Sequence, residues 1–295
     1  MNPNAWHLTE DVETFLAEAG DFLRSRPALH TVPLTVTEAL RTCGANAYGT
    51  EAPLLGWQER AGEVRATFFR TPPRRLTITS LTPTEADALA AHLAGLGRVL
   101  PGVNADDDTA DAFAKAWARH TGVTPTLHEQ ERLYRLGALT LPDPAPEGRG
   151  RVVGEQDREQ LMLWQREFVA AIGGTASSDD RVWADTRITE GRVTFWETPD
   201  GTPVSLAGTT PLVAGQVRVA PVYTPAHLRG RGYGGAATGE VSRAALAAGA
   251  AEVMLFADLA NPTSNALYQR IGYRPVSDFT VYNFPARPPV SASGR

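Results

Sequence analysis

The chain has 295 residues, 42% of them hydrophobic and 21% charged, with a formal net charge of −5. That length predicts two domains of roughly 150 residues or one large one, and the composition supports a core rather than global disorder. A nucleic-acid coat is excluded because no run of positive charge exists, the lone Cys43 excludes a disulfide framework and a four-cysteine zinc site, and no stretch approaches the ~20 apolar residues that span a bilayer.

The start, Met1 to Trp6, has neither a basic nor an apolar region, so no signal peptide is read and the expected location is the cytoplasm. Val12, Phe15, Leu16, Ala19 and Leu23 form one stripe at helical spacing, predicting a helix from Asp11 to Arg24. Strands are expected from Leu54 to Gln58, Val64 to Phe69 and Leu76 to Thr79, with a turn at Ala61-Gly62. Thr82-Pro-Thr-Glu85 opens a helix to Leu93. A strand from Arg98 to Leu100, a helix from Asp108 to His120 and a strand from Glu131 to Leu139 complete this half.

From Thr140 to Gly150, three prolines and two glycines in eleven residues predict a linker. Val152-Val153 then reads as a strand. A helix from Glu155 to Ile172 ends at Gly173-Gly174. Val193 to Glu197 and Val204 to Thr210 flank a Pro-Asp-Gly turn, a hairpin signal. A strand from Val217 to Tyr223 leads through a glycine-rich loop into a helix from Gly235 to Ala248. The apolar run Val253 to Ala257 predicts a strand covered on both faces. A helix opening at Asn261-Pro262 stops at Gly272, a strand runs from Thr280 to Phe284, and a Pro-rich tail follows Pro285. The halves share an outline. Val99 to Gly122 can be laid on Leu255 to Gly272, matching Asn104 with Asn261 and Trp117 with Tyr268, which reads as a weak internal duplication.

The most informative segment is Arg229-Gly-Arg-Gly-Tyr-Gly-Gly235. Glycines let backbone N–H groups point inward and an oxyanion approach without meeting a Cβ. The helix that starts there adds its partial positive end, and Arg229 and Arg231 add charge-assisted contacts. Gly230, Gly232 and Gly235 spell a dinucleotide fingerprint with Asp258 downstream, but Thr224 to Arg229 separate the loop from its strand and too little chain follows for that fold. No Gly-Lys-Ser/Thr follows, so a Walker loop is excluded.

Arg229-Gly-Arg-Gly-Tyr-Gly234 resembles the Q/R-x-x-G-x-G/A signature of the GNAT acyltransferases, and the Asn261 to Tyr273 stretch resembles that family's second signature. The two cover Val217 to Tyr273. The resemblance implies an α+β fold of two GNAT-like domains, each a mixed, mostly antiparallel sheet flanked by helices. Residues 1–140 would be a degenerate copy, 141–150 the linker and 151–295 the acetyl-CoA-binding domain. The first half has Thr79 to Thr84 where the glycine loop belongs.

The resemblance assigns Val222, Tyr223 and Thr224 to backbone contacts with the pantetheine arm. It assigns Arg229, Gly230, Arg231, Gly232, Tyr233, Gly234 and Gly235 to the pyrophosphate. Asn261 and Asn265 would meet the cofactor, Asn261 serving equally as a helix cap. Tyr268, seven residues after Asn261, would donate a proton to the departing thiolate. An attacking amine must first lose a proton, and Glu167, Glu197 and Glu240 are base candidates by element only. Trp164, Phe168 and Trp183 would line the acceptor side or pack in the core. The histidines lack ligand spacing, so no metal is expected.

The implied function is acetyl-CoA-dependent N-acetylation of a primary amine, on a small molecule or peptide, by direct attack in a ternary complex. The alternatives are a non-catalytic acyl-CoA sensor or scaffold and a thiol-metabolite acetyltransferase of the mycothiol-synthase type. No nucleic-acid or membrane partner is implied, and a homodimer is left open.

Overall fold

The computed structural model describes residues 5–172 and 180–285. The first half forms β1 (Ala5–Thr9), α1 (Val12–Arg24), α2 (Thr31–Cys43), β2 (Leu54–Arg60), β3 (Glu63–Arg70), β4 (Leu76–Ile78), α3 (Pro83–Gly95), β5 (Gly102–Asp106), α4 (Asp107–Thr121) and β6 (Thr126–Leu136). The second forms β7 (Arg149–Val152), α5 (Arg158–Ala171), α6 (Asp180–Thr189), β8 (Val193–Glu197), β9 (Pro203–Thr209), β10 (Gln216–Tyr223), α7 (Tyr233–Ala247), β11 (Glu252–Asp258), α8 (Pro262–Arg270) and β12 (Tyr273–Asn283). Short 3-10 turns precede α5 and α7. Both halves therefore run strand, two helices, three strands, helix, strand, helix, strand.

The chain divides into two compact units. One holds residues 1–133, 258–260 and 276–295, and the other holds 134–257 and 261–275. In the first unit the strand order is β1-β2-β3-β4-β5-β12-β6, with β4 and β5 parallel and their outer partners antiparallel. Ala61 and Gly62, at φ 54° and 79°, close the β2–β3 hairpin as expected of that dipeptide. On one face Leu89 and Leu93 of α3 and Phe113 and Trp117 of α4 pack with Phe68, Leu76 and Val103. On the other, Phe15 of α1 meets the Trp57 ring edge-on, and α1 is capped by Asp11, whose Oδ1 accepts from the Thr14 N–H at 2.7 Å.

In the second unit the order is β11-β10-β9-β8-β7. Side chains alternate along β9, so adjacent Leu206 and Ala207 serve opposite faces. Ala207 packs with Ala237 and Val241 of α7 and with Tyr268 of α8. Leu206 packs with Leu161 and Trp164 of α5 and with Tyr223. The sheet is thus covered by α7 and α8 on one side and by α5 and α6 on the other. The Pro-Asp-Gly hairpin forms as expected, with Gly201 at φ 87°.

Several sequence expectations are corrected. Periodicity missed β1, α2 and α6. In α2 the threonines hide the pattern: Thr35 and Thr37 turn their hydroxyls onto the carbonyls of Thr31 and Pro33, both at 2.8 Å. Residues 98–100, expected as a strand, are irregular, and β5 begins at Gly102. Strand β6 ends at Leu136 and β12 begins at Tyr273, several residues before the expected limits. Asn104 lies inside β5. Asp106 caps α4 by accepting from Thr109 N–H at 3.2 Å, as Asn261 caps α8 by accepting from Ser264 N–H at 3.1 Å. The matched pairs are therefore Asp106 with Asn261 and, seven residues on, Phe113 with Tyr268. The helix end at Gly173-Gly174 and the chain beyond Pro285 lie outside the described residues.

Candidate functional site

The site grows out of β10. It pairs in parallel with β11 only over Gln216, Val217 and Arg218, matched to Glu252, Val253 and Met254. Beyond those three pairs the strands part. On its other edge β10 stays paired with β9, but the register slips between Val219 and Val222 by one extra residue on β10. A bulge of that kind turns the strand and raises its twist. It holds Ala220 and Pro221, and Pro221 brings no N–H to the ladder. Gly208 makes the bulge possible, because a Cβ there would lie 3.0 Å from the Ala220 oxygen and from Pro221 Cδ. A gap between β10 and β11 is the consequence, with Val222, Tyr223 and Thr224 on its β10 edge.

At the head of this gap lies the glycine loop. Gly230 and Gly232 stand at φ 77° and 83°, where a side chain is strained. Gly232 is the N-cap of α7, and no side chain caps this helix. The first-turn N–H groups of Tyr233, Gly234 and Gly235 thus have neither an intrahelical acceptor nor a side-chain one. A Cβ on Gly234 would come within 3.3 Å of Thr224 Oγ1, and one on Gly235 within 2.8 Å of Leu267 Cδ1. Glycines here hold the loop against the strand end and seat α7 on α8. The side chain of Arg229 folds back, its Nε donating to the Thr224 carbonyl at 3.0 Å, while Arg231 is exposed.

Of the expected linker 141–150, Arg149 and Gly150 belong to β7, and residues 141–148 run along α7. Pro142 lies 3.7 Å from the Cβ position of Gly235, and Pro146 lies 3.7 Å from that of Gly232. Trp196 Nε1 donates to the Glu147 carbonyl at 3.3 Å. This segment backs the loop with two rigid rings.

Helix α8 brings the other motif. Asn261 is engaged as the cap. The Asn265 Oδ1 accepts from the Tyr134 hydroxyl at 2.7 Å, and its Nδ2 donates to the Asn261 carbonyl at 2.8 Å. Tyr268 is buried at 8% exposure, edge-on to Tyr273. Its hydroxyl has no hydrogen-bond partner among the described residues, and burial pushes its pKa up to about 12. It is a neutral donor throughout the physiological range.

The three carboxylates separate clearly. Glu197 is buried and locked to Arg151, which also grips Asp157. Glu240 pairs with Arg243 along the surface of α7. Glu167 is exposed on α5, and its Oε2 accepts from the Tyr223 hydroxyl at 2.8 Å. Burial and this bond both raise the Tyr223 pKa. Trp164 is a core residue packed on Phe195 and Tyr223, with Phe168 and Trp183 at the margin of that cluster.

Sequence reasoning missed Tyr134 and Ser205. Tyr134 fixes Asn265 from a strand far away in the chain. Ser205 donates to the Tyr223 carbonyl at 3.0 Å and lies 2.8 Å from Thr224 Oγ1, fixing the strand end. Neither sits in a local motif. No cluster of three or more His, Cys, Asp or Glu side chains suited to a metal occurs among the described residues, and none of their helices is long and apolar enough to cross a membrane.

The sequence model of the Acetyltransferase (GNAT) family matches residues 158–273. A tRNA N6-adenosine threonylcarbamoyltransferase of Symbiobacterium thermophilum is 32% identical over 119 residues, 39% of this chain and 35% of that protein. The chain thus spans about a third of that relative's length. Among solved structures, a GCN5-related N-acetyltransferase from Sphaerobacter thermophilus superposes with TM-score 0.62 at 16% identity, covering 98% of this chain and 97% of that one. A GNAT-family acetyltransferase from Colwellia psychrerythraea gives 0.58 at 12%, over 95% and 100%. A tandem GNAT protein from the clavulanic acid biosynthesis pathway gives 0.55 at 12%, over 96% and 99%. These three are likenesses of fold. The glycine loop, the parted strands and α8 all fall within residues 158–273, the segment that matches the Acetyltransferase (GNAT) family model, and the chain as a whole shares the fold of these acetyltransferases.

Proposed function

We propose that the second unit transfers an acetyl group from acetyl-CoA to a primary amine of a small molecule or peptide. The observation that carries this is the parting of β10 from β11 beside a helix start whose amides no side chain caps. The cradle fits the co-substrate, because the first-turn amides of α7 have no side-chain cap and Gly230 has no heavy atom within 4 Å of its Cβ position. Gly230, Gly232, Tyr233, Gly234 and Gly235 would hold the diphosphate, with Arg231 adding charge. The free β10 edge at Val222 to Thr224 would hold the pantetheine amides. When bound, acetyl-CoA supplies an activated acyl group on sulfur.

The chain's own groups then have defined tasks. Tyr268 holds a proton on a buried, unpartnered hydroxyl, suited to donation to a departing thiolate. Glu167 and Tyr223 stand on the α5 face, opposite Tyr268. An amine entering from that face meets a carboxylate able to attract its cation and take its proton, directly or through one water. The first half is proposed as a copy without this activity. Its 79–82 turn contains no glycine, the α3 cap Thr82 and the Glu85 carboxylate already serve the helix start, and Phe113 replaces the tyrosine. The test is thiol release from acetyl-CoA across an amine panel, with Tyr268→Phe beside the wild type. Turnover on at least one amine, largely lost in the variant, supports the reading. Tight CoA binding with no turnover on any amine overturns it in favour of a sensor.

A further inference from the structure

Helix α7 begins weakly. Its N-cap is Gly232, no side chain caps it, and Gly234, Gly235 and Gly239 stand inside it. Glycine forms helix less readily than alanine, because its backbone loses more freedom on ordering. A grip on an anion requires the opposite, amides held in one arrangement before the ligand arrives. The rigidity of this helix head must come from what packs against it.

The segment between β6 and β7 is fastened at both ends. Gly137 N–H donates to the Gly272 carbonyl at 2.9 Å and Thr140 N–H to the Ile271 carbonyl at 3.0 Å, just past the end of α8. At the other end Trp196 Nε1 holds the Glu147 carbonyl, and a Cβ on Gly148 would come within 2.0 Å of the Glu197 oxygen. Between these anchors three side chains meet α7 at its glycines. Leu141 Cδ2 lies 2.8 Å from the Cβ position of Gly239, and Pro142 Cγ lies 3.7 Å from that of Gly235. At Gly232 the three nearest heavy atoms, its chain neighbours aside, all belong to the Pro146 ring, at 3.7 to 3.8 Å. Positions 232, 235 and 239 are spaced by three and four, so they share one face of the helix. Of residues 141–149 only Pro142 and Pro146 are half-buried, and the rest are exposed. Proline has a fixed φ, so these rings lose little freedom when the segment orders.

We infer that residues 141–147 are a positioning segment for the diphosphate cradle, with Pro146 steadying Gly232 at the helix start and Pro142 steadying Gly235 three residues on. The inference rests on the transferase reading and adds that affinity for the cofactor is set partly from outside the glycine motif. A segment that acts through the cradle acts on cofactor binding and not on the transfer step.

The test is calorimetric titration of the full chain with CoA, joined to steady-state kinetics in acetyl-CoA with the best amine of the panel. The wild type is compared with Pro142→Ala/Pro146→Ala and with Pro146→Ala alone. Two controls are Ala145→Ser, exposed on the same segment, and Gly201→Ala, whose strain lies in the β8–β9 hairpin. The double proline variant is expected to weaken CoA binding and raise KM for acetyl-CoA roughly fivefold or more, with kcat within about twofold of the wild type. Pro146→Ala should move both in the same direction by less. The two controls should leave Kd and KM at wild-type values, while melting temperatures rank the general loss of stability. CoA binding unchanged or tightened in the proline variants overturns the inference, as does an equal loss in Gly201→Ala or a loss confined to kcat. A wild type that binds no CoA overturns the transferase reading along with it. A wild type that binds CoA no better than the double proline variant overturns the positioning role alone.

Discussion

The hydroxyl of Tyr223 donates to Glu167 Oε2 at 2.8 Å, tying the last residue of β10 to an exposed carboxylate on α5. No other candidate glutamate is so placed, because Glu197 and Glu240 each neutralise an arginine. Glu167→Gln is expected to lower kcat/KM for the amine about a hundredfold and to leave KM for acetyl-CoA unchanged. Tyr223→Phe should cost about tenfold, since the carboxylate survives and loses only its partner. With its pKa raised above the usual 10.0, Tyr223 stays neutral and contributes no alkaline limb below pH 10. Steady-state kinetics of both substrates against pH read these effects.

Tyr268→Phe is expected to reduce kcat by roughly 10²-fold or more while the chain stays folded and binds CoA. The buried hydroxyl also sets an alkaline limit on stability. Its folded pKa of about 12 exceeds the unfolded value near 10, so above pH 10 the unfolded chain holds fewer protons. Stability should fall between pH 10 and 12 at up to ~1.4 kcal/mol per pH unit from this residue. Tyr282 adds to the loss, raised to about 12 by its bond to Asp111 and by burial. Melting curves across that range should fall less steeply in Tyr268→Phe than in the wild type.

Gly230 and Gly201 make an internal control. Both have positive φ, 77° and 87°, and neither has any heavy atom within 4 Å of its Cβ position. Alanine at either site should cost about 1 kcal/mol through backbone strain alone. Only Gly230→Ala should also raise KM for acetyl-CoA. Equal effects of the two variants on KM would detach the loop from the cofactor.

The first unit should bind no CoA. In α3, Thr82 Oγ1 accepts from the Glu85 N–H at 3.4 Å and the Glu85 carboxylate accepts from the Thr82 N–H at 2.9 Å. This capping box puts a negative charge where the second unit has open amides. Calorimetric titration with CoA should give one equivalent per chain, and two would contradict the assignment.

The glycine loop and the start of α8 were legible in sequence because each is a local device. A positive φ calls for Gly230 and Gly232, and a helix start calls for Asn261. What was not legible joins distant parts of the chain. Tyr134 reaches Asn265 from another strand, and Glu167 reaches Tyr223 from another element. The fold was misread where local chemistry hides periodicity, as with the threonines of α2. It was misread too where asparagine drew attention from a better cap, as Asn104 did from Asp106. The prolines of 142–146 signal that the segment is neither helix nor central strand. They do not signal that it packs along α7.

The central claim is that the amides at the head of α7 grip a diphosphate. Amide hydrogen exchange of the full chain, with and without saturating CoA, tests it at those groups. The account predicts slowed exchange in peptides covering 229–236 and no comparable change at 79–86. Unchanged exchange at 229–236 under saturating CoA would contradict it.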